Sequence, residues 1–194
     1  SSDLVSDYEI DNSLRFNADD DSRLTRTPGS AGNRRTWTFS FWFKTTSKPY
    51  QRIFGAGANI DTSANNTTSV SLDTDPTDAL FCFRQDTTAG GKEFNFKSNM
   101  AIRDPGAWYH FCCAIDTTLA TEGDRVKIYK NGVLLTSSDF QDEVYPDQDQ
   151  DTHVNNTVLQ MIGRISEGEL SGYLAEVYLI DGTMLAASDF GELS

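Results

Sequence analysis

Asp147-Gln148-Asp149-Gln150-Asp151 sets three carboxylates at alternate positions of a polar segment, and hard oxygen ligands at that spacing suit Ca²⁺. The run lacks the central glycine and the later glutamate of an EF-hand, so Asp147, Asp149 and Asp151 are candidate metal ligands of an irregular loop. A solvated acidic loop is the plainer reading. Asp19-Asp20-Asp21 is a second acidic cluster. Glycosidic hydrolysis needs two carboxylates flanking the scissile bond. Glu176 and Asp181 are the nearest strand pair, but five positions apart they fall on opposite faces. His110 and Cys112 share a strand face, yet a zinc site needs further ligands and His153 is the only other histidine. No nucleophile elbow or phosphate loop occurs, and Gly55-Ala56-Gly57 lacks the third glycine of a dinucleotide turn. The residues favour a binding module over an enzyme.

Sugar binding uses aromatic faces together with amides and carboxylates that read hydroxyls. Trp42 and Tyr129 fall on the nominally polar faces of their strands, and Tyr50 and Tyr145 in loops, where binding residues concentrate. Asn65 and Asn66 occupy the polar loop 62–68. These six are the candidate ligand-binding residues. Trp42 has a competing reading as a packing residue at one end of the fold. The sequons at Asn65, Asn66 and Asn155 are explained by chance in a chain rich in Asn and Thr.

The elements that position these groups are strands. Trp37, Phe39, Phe41 and Phe43 alternate with Thr38, Ser40, Trp42 and Lys44, which gives one apolar face and one mostly polar face. Strand patterns recur at 13–16, 23–27, 37–46, 52–56, 69–72 and 79–84. They continue at 93–97, 108–116, 125–130, 133–136, 158–164 and 173–180. Turn residues separate them, most clearly Asn131-Gly132, a type I′ hairpin signal. Only 186–191 reads as a short helical turn. Many short strands without helical interludes predict an all-β, two-sheet antiparallel jelly-roll sandwich, one domain over 1–194.

The chain carries 16 Lys and Arg against 29 Asp and Glu, a net charge of −13. No basic footprint for nucleic acid or an anionic membrane surface is present. No apolar run is long enough for a transmembrane helix, and no segment reads as a signal peptide. Cys112 and Cys113 are adjacent and point to opposite faces of a strand, and Cys82 sits in an apolar setting. Buried free thiols are expected, which suits synthesis in a reducing compartment.

Ser13-Leu14-Arg15-Phe16, Trp37 to Lys44, Trp108-Tyr109-His110-Phe111 and Lys127-Ile128-Tyr129-Lys130-Asn131-Gly132 occur in a telling order. Ser171-Gly172-Tyr173-Leu174-Ala175-Glu176-Val177-Tyr178-Leu179-Ile180-Asp181-Gly182 closes the series. Together they resemble the laminin-G-like, pentraxin-like branch of the concanavalin A-like lectin/glucanase superfamily, over roughly residues 10 to 192. The resemblance implies a laminin-G-like sandwich and a non-catalytic lectin-type role. Pentraxin-like relatives place calcium ligands where this chain has Ser47-Lys48-Pro49-Tyr50 and Ser166-Glu167-Gly168-Glu169, so the family's calcium site does not carry over. Hydrolases of the superfamily carry E-x-D-x-x-E or E-x-D-x-E strands, which Glu176 does not match. The closing Asp189-Phe190-Gly191-Glu192 resembles laminin-G-like domains of bacteriophage tail fibres. That implies a virion appendage made in the host cytoplasm and working outside the cell. Its partners would be a surface polysaccharide or other host receptor and other virion proteins, with a homotrimer as one assembly. A decoration or fibre-packing role is the alternative, and a polysaccharide-degrading enzyme a remote one.

Overall fold

The computed structural model describes residues 12–46, 50–75, 78–166 and 168–191. Its strands are, in chain order, β1 (Leu14–Phe16), β2 (Leu24–Arg26), β3 (Thr36–Thr45), β4 (Gln51–Gly57) and β5 (Thr67–Asp75). Next come β6 (Asp78–Asp86), β7 (Lys92–Ala101), β8 (Tyr109–Asp116), β9 (Val126–Lys130) and β10 (Val133–Leu134). The last five are β11 (Phe140–Val144), β12 (Gln160–Ile162), β13 (Arg164–Ile165), β14 (Gly168–Glu169) and β15 (Gly172–Asp181). A six-stranded sheet has the order β1-β15-β3-β8-β9-β10, and a seven-stranded sheet the order β11-β7-β6-β5-β4-β12-β2. β13 and β14 form a separate hairpin. No α-helix occurs among the described residues; four short 3-10 turns do. The all-β sandwich expected from the sequence is the fold observed.

Alternation in β3 builds the core. Trp37, Phe39, Phe41 and Phe43 are fully buried and face the other sheet. Trp37 meets Phe83 edge-on at 5.8 Å, Phe39 stacks on Phe54 at 4.5 Å, and Phe111 stacks on Phe81 at 4.2 Å. Each pair joins the two sheets. Burying one such ring contributes roughly 2–3 kcal/mol, so this aromatic layer supplies a large part of the driving force. The β9–β10 hairpin turns on Asn131 and Gly132 with φ of 47° and 76°, as a type I′ turn requires.

Observation departs from the sequence expectation in three places. β11 was not expected, because Phe140-Gln141-Asp142-Glu143-Val144 is an edge strand that buries little and shows no clean alternation. The expected strand at 158–164 is broken at Gly163, whose φ is +93° and whose added Cβ would lie 2.5 Å from the Phe16 ring. β13 and β14 follow that break as a hairpin the sequence did not signal.

The expected helical turn near the end is the 3-10 turn Ala187–Phe190. With the residues before it, this turn forms a strap over the outer face of the six-stranded sheet. The Thr38 hydroxyl donates to the Thr183 carbonyl and accepts from the Leu185 N–H, both at 2.8 Å. Ala187 is buried, and Phe190 stacks on Tyr178 at 5.8 Å.

Candidate functional site

The six candidate ligand residues do not converge on one site. Trp42 is on the outer face of the six-stranded sheet, opposite His110 in register, with ring centroids 5.1 Å apart. It is half-buried. Tyr129 shares that face beside Cys112. Tyr145 closes the edge of the core, edge-on to Phe96 at 4.9 Å, and donates to Glu143 Oε1 at 2.7 Å. Burial, then the Glu143 carboxylate, pushes its phenol pKa up. Asn66 adopts a left-handed turn at φ 56° and donates its N–H to the Thr87 carbonyl. Asn65 takes part in the same loop through Ser63 Oγ. Tyr50 is exposed on the outer side of the seven-stranded sheet.

The acidic loop is engaged by cations. Asp151 accepts from Arg34 Nη1 at 3.2 Å and from Arg35 Nε at 2.8 Å, and Asp149 accepts from Arg35 Nη1 at 3.2 Å. Asp147 and Asp151 border an open polar depression of about 440 Å³ with Lys92, Glu93 and Gln150. Among the described residues no group of three or more His, Cys, Asp or Glu side chains is arranged to hold a metal ion. Ser47, Lys48, Pro49 and Glu167, at the positions of the pentraxin-type calcium ligands, lie outside the described residues.

His110 and its neighbours are packed into the sheet. Ser40 Oγ and His110 Nε2 are 2.8 Å apart in the six-stranded sheet's outer layer, where both side chains are buried. Burial lowers the His110 pKa, so its imidazole stays neutral near pH 7. The three cysteines are free and buried. Burial pushes Cys82 up to about 11 and Cys112 up to about 12, which keeps both as thiols. Glu176 adopts φ 47° in a bulge between Ala175 and Tyr178 and accepts from the Tyr178 hydroxyl. It stays on the outer side with Tyr178, whereas Asp181 pairs with Trp37 and bonds the Asn33 N–H. No facing carboxylate pair results.

The outer face of the seven-stranded sheet is different. Phe81 and Phe83 of β6 point to the core, so Cys82 and Arg84 point away from it; on β5, Ser69, Ser71 and Asp73 do the same. Register aligns Arg52 with Ser71, and Ser69 with Arg84 and Gly55. Long side chains from β4, β5 and β6 therefore converge. Arg84 Nη1 donates to Asp73 Oδ2 at 2.6 Å, and Arg52 Nη1 lies 3.7 Å from Asp73 Oδ1, in ion-pair range but beyond hydrogen-bond reach. Arg84 Nε is 3.2 Å from Asp86, which also pairs with Lys92. Burial lowers the Arg84 pKa, but Cys82, Asp73 and Asp86 more than reverse this, and the guanidinium stays charged. Tyr50 roofs the array: its ring sits 4.8 Å from the Arg52 guanidinium carbon, and its hydroxyl accepts from Arg52 Nη2 at 2.5 Å. Of this group, sequence reasoning selected only Tyr50. The available signal was charge at alternating positions inside otherwise apolar strands, as in Phe81-Cys82-Phe83-Arg84.

A family model described as the concanavalin A-like lectin/glucanases superfamily, of the laminin G type, matches residues 17–188. The chain belongs to this superfamily. Solved laminin-G-like and pentraxin structures share the fold. The mouse laminin α1 chain domains LG4-5 superpose with a TM-score of 0.61 at 10% identity, over 95% of this chain and 45% of that one. The sialidase module CBM40 of Ruminococcus gnavus, solved with α2,3-sialyllactose, gives 0.53 at 15% identity over 86% and 95%. A heptameric SAP-like pentraxin from Limulus polyphemus gives 0.50 at 17% identity over 86% and 72%. This chain thus spans under half of the two-domain laminin piece. A search of curated proteins found no match. Within the laminin-G-like frame, the strap and the Arg52–Arg84 array mark the two outer faces of this member.

Proposed function

We propose that this laminin-G-like domain is a non-catalytic glycan-binding module, and that it binds through the outer face of the seven-stranded sheet. The observation that carries this reading is the pairing of a half-exposed aromatic, Tyr50, with a floor of polar side chains on β4 to β6. An aromatic face beside fixed donors is the equipment that pyranose recognition needs. The opposite outer face is occupied by the chain's own strap. Support of a weaker kind comes from the fold, which a sialyllactose-bound CBM40 module shares. The placement on a bacteriophage appendage, facing a bacterial surface polysaccharide, belongs to the same proposal and rests on the resemblance of the closing segment.

Titration against a broad saccharide panel by calorimetry tests the binding reading. Saturable binding that weakens in Tyr50→Ala is expected; silence across the panel overturns it. A structural, protein–protein role has its own supporting observation. Leu14, Leu24, Val133, Leu134 and Val144 are exposed apolar residues, all on the edge strands β1, β2, β10 and β11. Edge strands are ready pairing surfaces. A stable trimer in light scattering, with no saccharide bound, would favour that second reading.

A further inference from the structure

Buried polar atoms without a partner are few in native proteins, and each calls for a water, an ion or a ligand. Among the described residues, five side-chain atoms make no hydrogen bond: Arg52 Nε and Nη1, Ser69 Oγ, Arg84 Nε and Gln160 Nε2, although Arg84 Nε and Arg52 Nη1 keep ion-pair contact with Asp86 and Asp73. The first four share the outer face of β4, β5 and β6. Arg52 is only 4% exposed, so its free N–H groups are shut off from bulk water. The three nitrogens are pure donors; an incoming group must accept hydrogen bonds. The linked charges do not balance either. Among the described residues, Arg52, Arg84 and Lys92 are three linked cations against the two carboxylates Asp73 and Asp86, which leaves one positive charge over. Water would satisfy the donors but not the charge. A monoanion satisfies both.

Resting on the glycan-binding reading, we propose that this face takes the carboxylate of an acidic sugar, a hexuronic or nonulosonic acid, against Arg52 with Arg84 alongside. Arg52 Nη2 is held by the Tyr50 hydroxyl. When that hydroxyl yields, Nε and Nη2 present the side-on fork that a carboxylate accepts in bidentate fashion. Tyr50, half-exposed at the rim with one ring face toward the Arg52 guanidinium, stays beside the bound sugar. Gly168 lets β14 pack against the Arg52 stem, since a Cβ there would lie 3.3 Å from Arg52 Nε and 2.5 Å from Arg52 Cγ, so the fork is reached when Tyr50 swings aside. Ser69 Oγ and Arg84 Nε supply further polar contacts to the carboxylate or its neighbouring hydroxyls.

The test is calorimetry on the whole domain with sialyllactose, a glucuronate oligosaccharide, the carboxyl-reduced form of each, and lactose. The acidic sugar that binds should do so about tenfold or more tightly than its reduced form, and the arm that responds identifies the sugar type. Arg52→Met, checked for folding by circular dichroism, should abolish that preference. Arg52→Lys, which keeps the charge but not the fork, should lose most of it. If Arg52→Met fails to fold, the wild-type comparison and the Lys variant decide. Equal affinity for acidic and reduced sugars, or a preference surviving in the Arg52 variants, overturns the carboxylate assignment while the glycan reading stands. No binding to any sugar in the set overturns both.

Discussion

The two outer faces of this sandwich solve the same problem in opposite ways. On the six-stranded sheet, the polar groups of β3 and β8 find partners within the chain: Thr38 in the strap, Ser40 in His110. On the seven-stranded sheet, β4 to β6 carry charges whose pairing is incomplete. A satisfied buried network rigidifies, whereas a half-satisfied one is costlier than apolar packing. The contrast teaches that one face is finished by folding and the other is left to be finished by something else.

The strongest way to break the comparison is to remove the carboxylate between the two arginines. Asp73→Asn leaves Arg52 and Arg84 without their shared counter-charge, and about 3–5 kcal/mol of stability should be lost, a fall in melting temperature of roughly 10 °C. Replacing the trio with apolar residues, as Arg52→Met/Asp73→Leu/Arg84→Met, should restore most of that stability in thermal denaturation. If it does so and saccharide binding disappears, the charges serve recognition rather than folding.

Next in size is the strap. Thr38→Val removes two hydrogen bonds and leaves the Thr183 carbonyl and Leu185 N–H unpaired, which should cost about 2 kcal/mol in denaturant unfolding. Saccharide affinity should not change, since the variant touches only the closed face. A parallel loss of binding would show that the faces are coupled.

Acid should act on the closed face by a smaller amount. His110 has a folded pKa below its ordinary 6.5 because burial penalises the imidazolium, and burial also lowers His153. Their stability contribution is therefore full above 6.5 and is lost as pH falls through the folded values. Melting curves should drop by roughly 2–4 °C between pH 7 and 5, and His110→Gln should flatten part of that slope. The smallest effect concerns Asp147, Asp149 and Asp151. Asp149 and Asp151 pair with Arg34 and Arg35 near the surface, and such pairs contribute about 0–1 kcal/mol. Addition of calcium or EDTA should move the melting temperature by about 1 °C or less. A clear rise with calcium would restore these carboxylates as metal ligands.

What the residues revealed in advance follows from how local each signal is. Alternation in β3, the Asn131-Gly132 turn and the opposite orientation of Cys112 and Cys113 depend only on neighbours in sequence, and all were legible. β11 was not, because an edge strand owes its pairing to β7 and has no apolar pattern of its own. The Arg52–Asp73–Arg84 array was hidden for a deeper reason. Each residue alone reads as one more polar position, and only the register of three strands brings them together. Trp42 and Tyr145 were conspicuous as aromatics, and register adds what the sequence could not: their contacts with His110 and with Phe96.

The buried thiols have a practical corollary. With Cys82, Cys112 and Cys113 all out of solvent and protonated, the native domain is silent toward electrophilic probes at neutral pH. A single cysteine introduced at an exposed position beside the Arg52–Arg84 array, with Tyr50 left in place, would be the one responsive thiol on the surface. A dye attached there would report occupancy of the neighbouring face without any background to subtract.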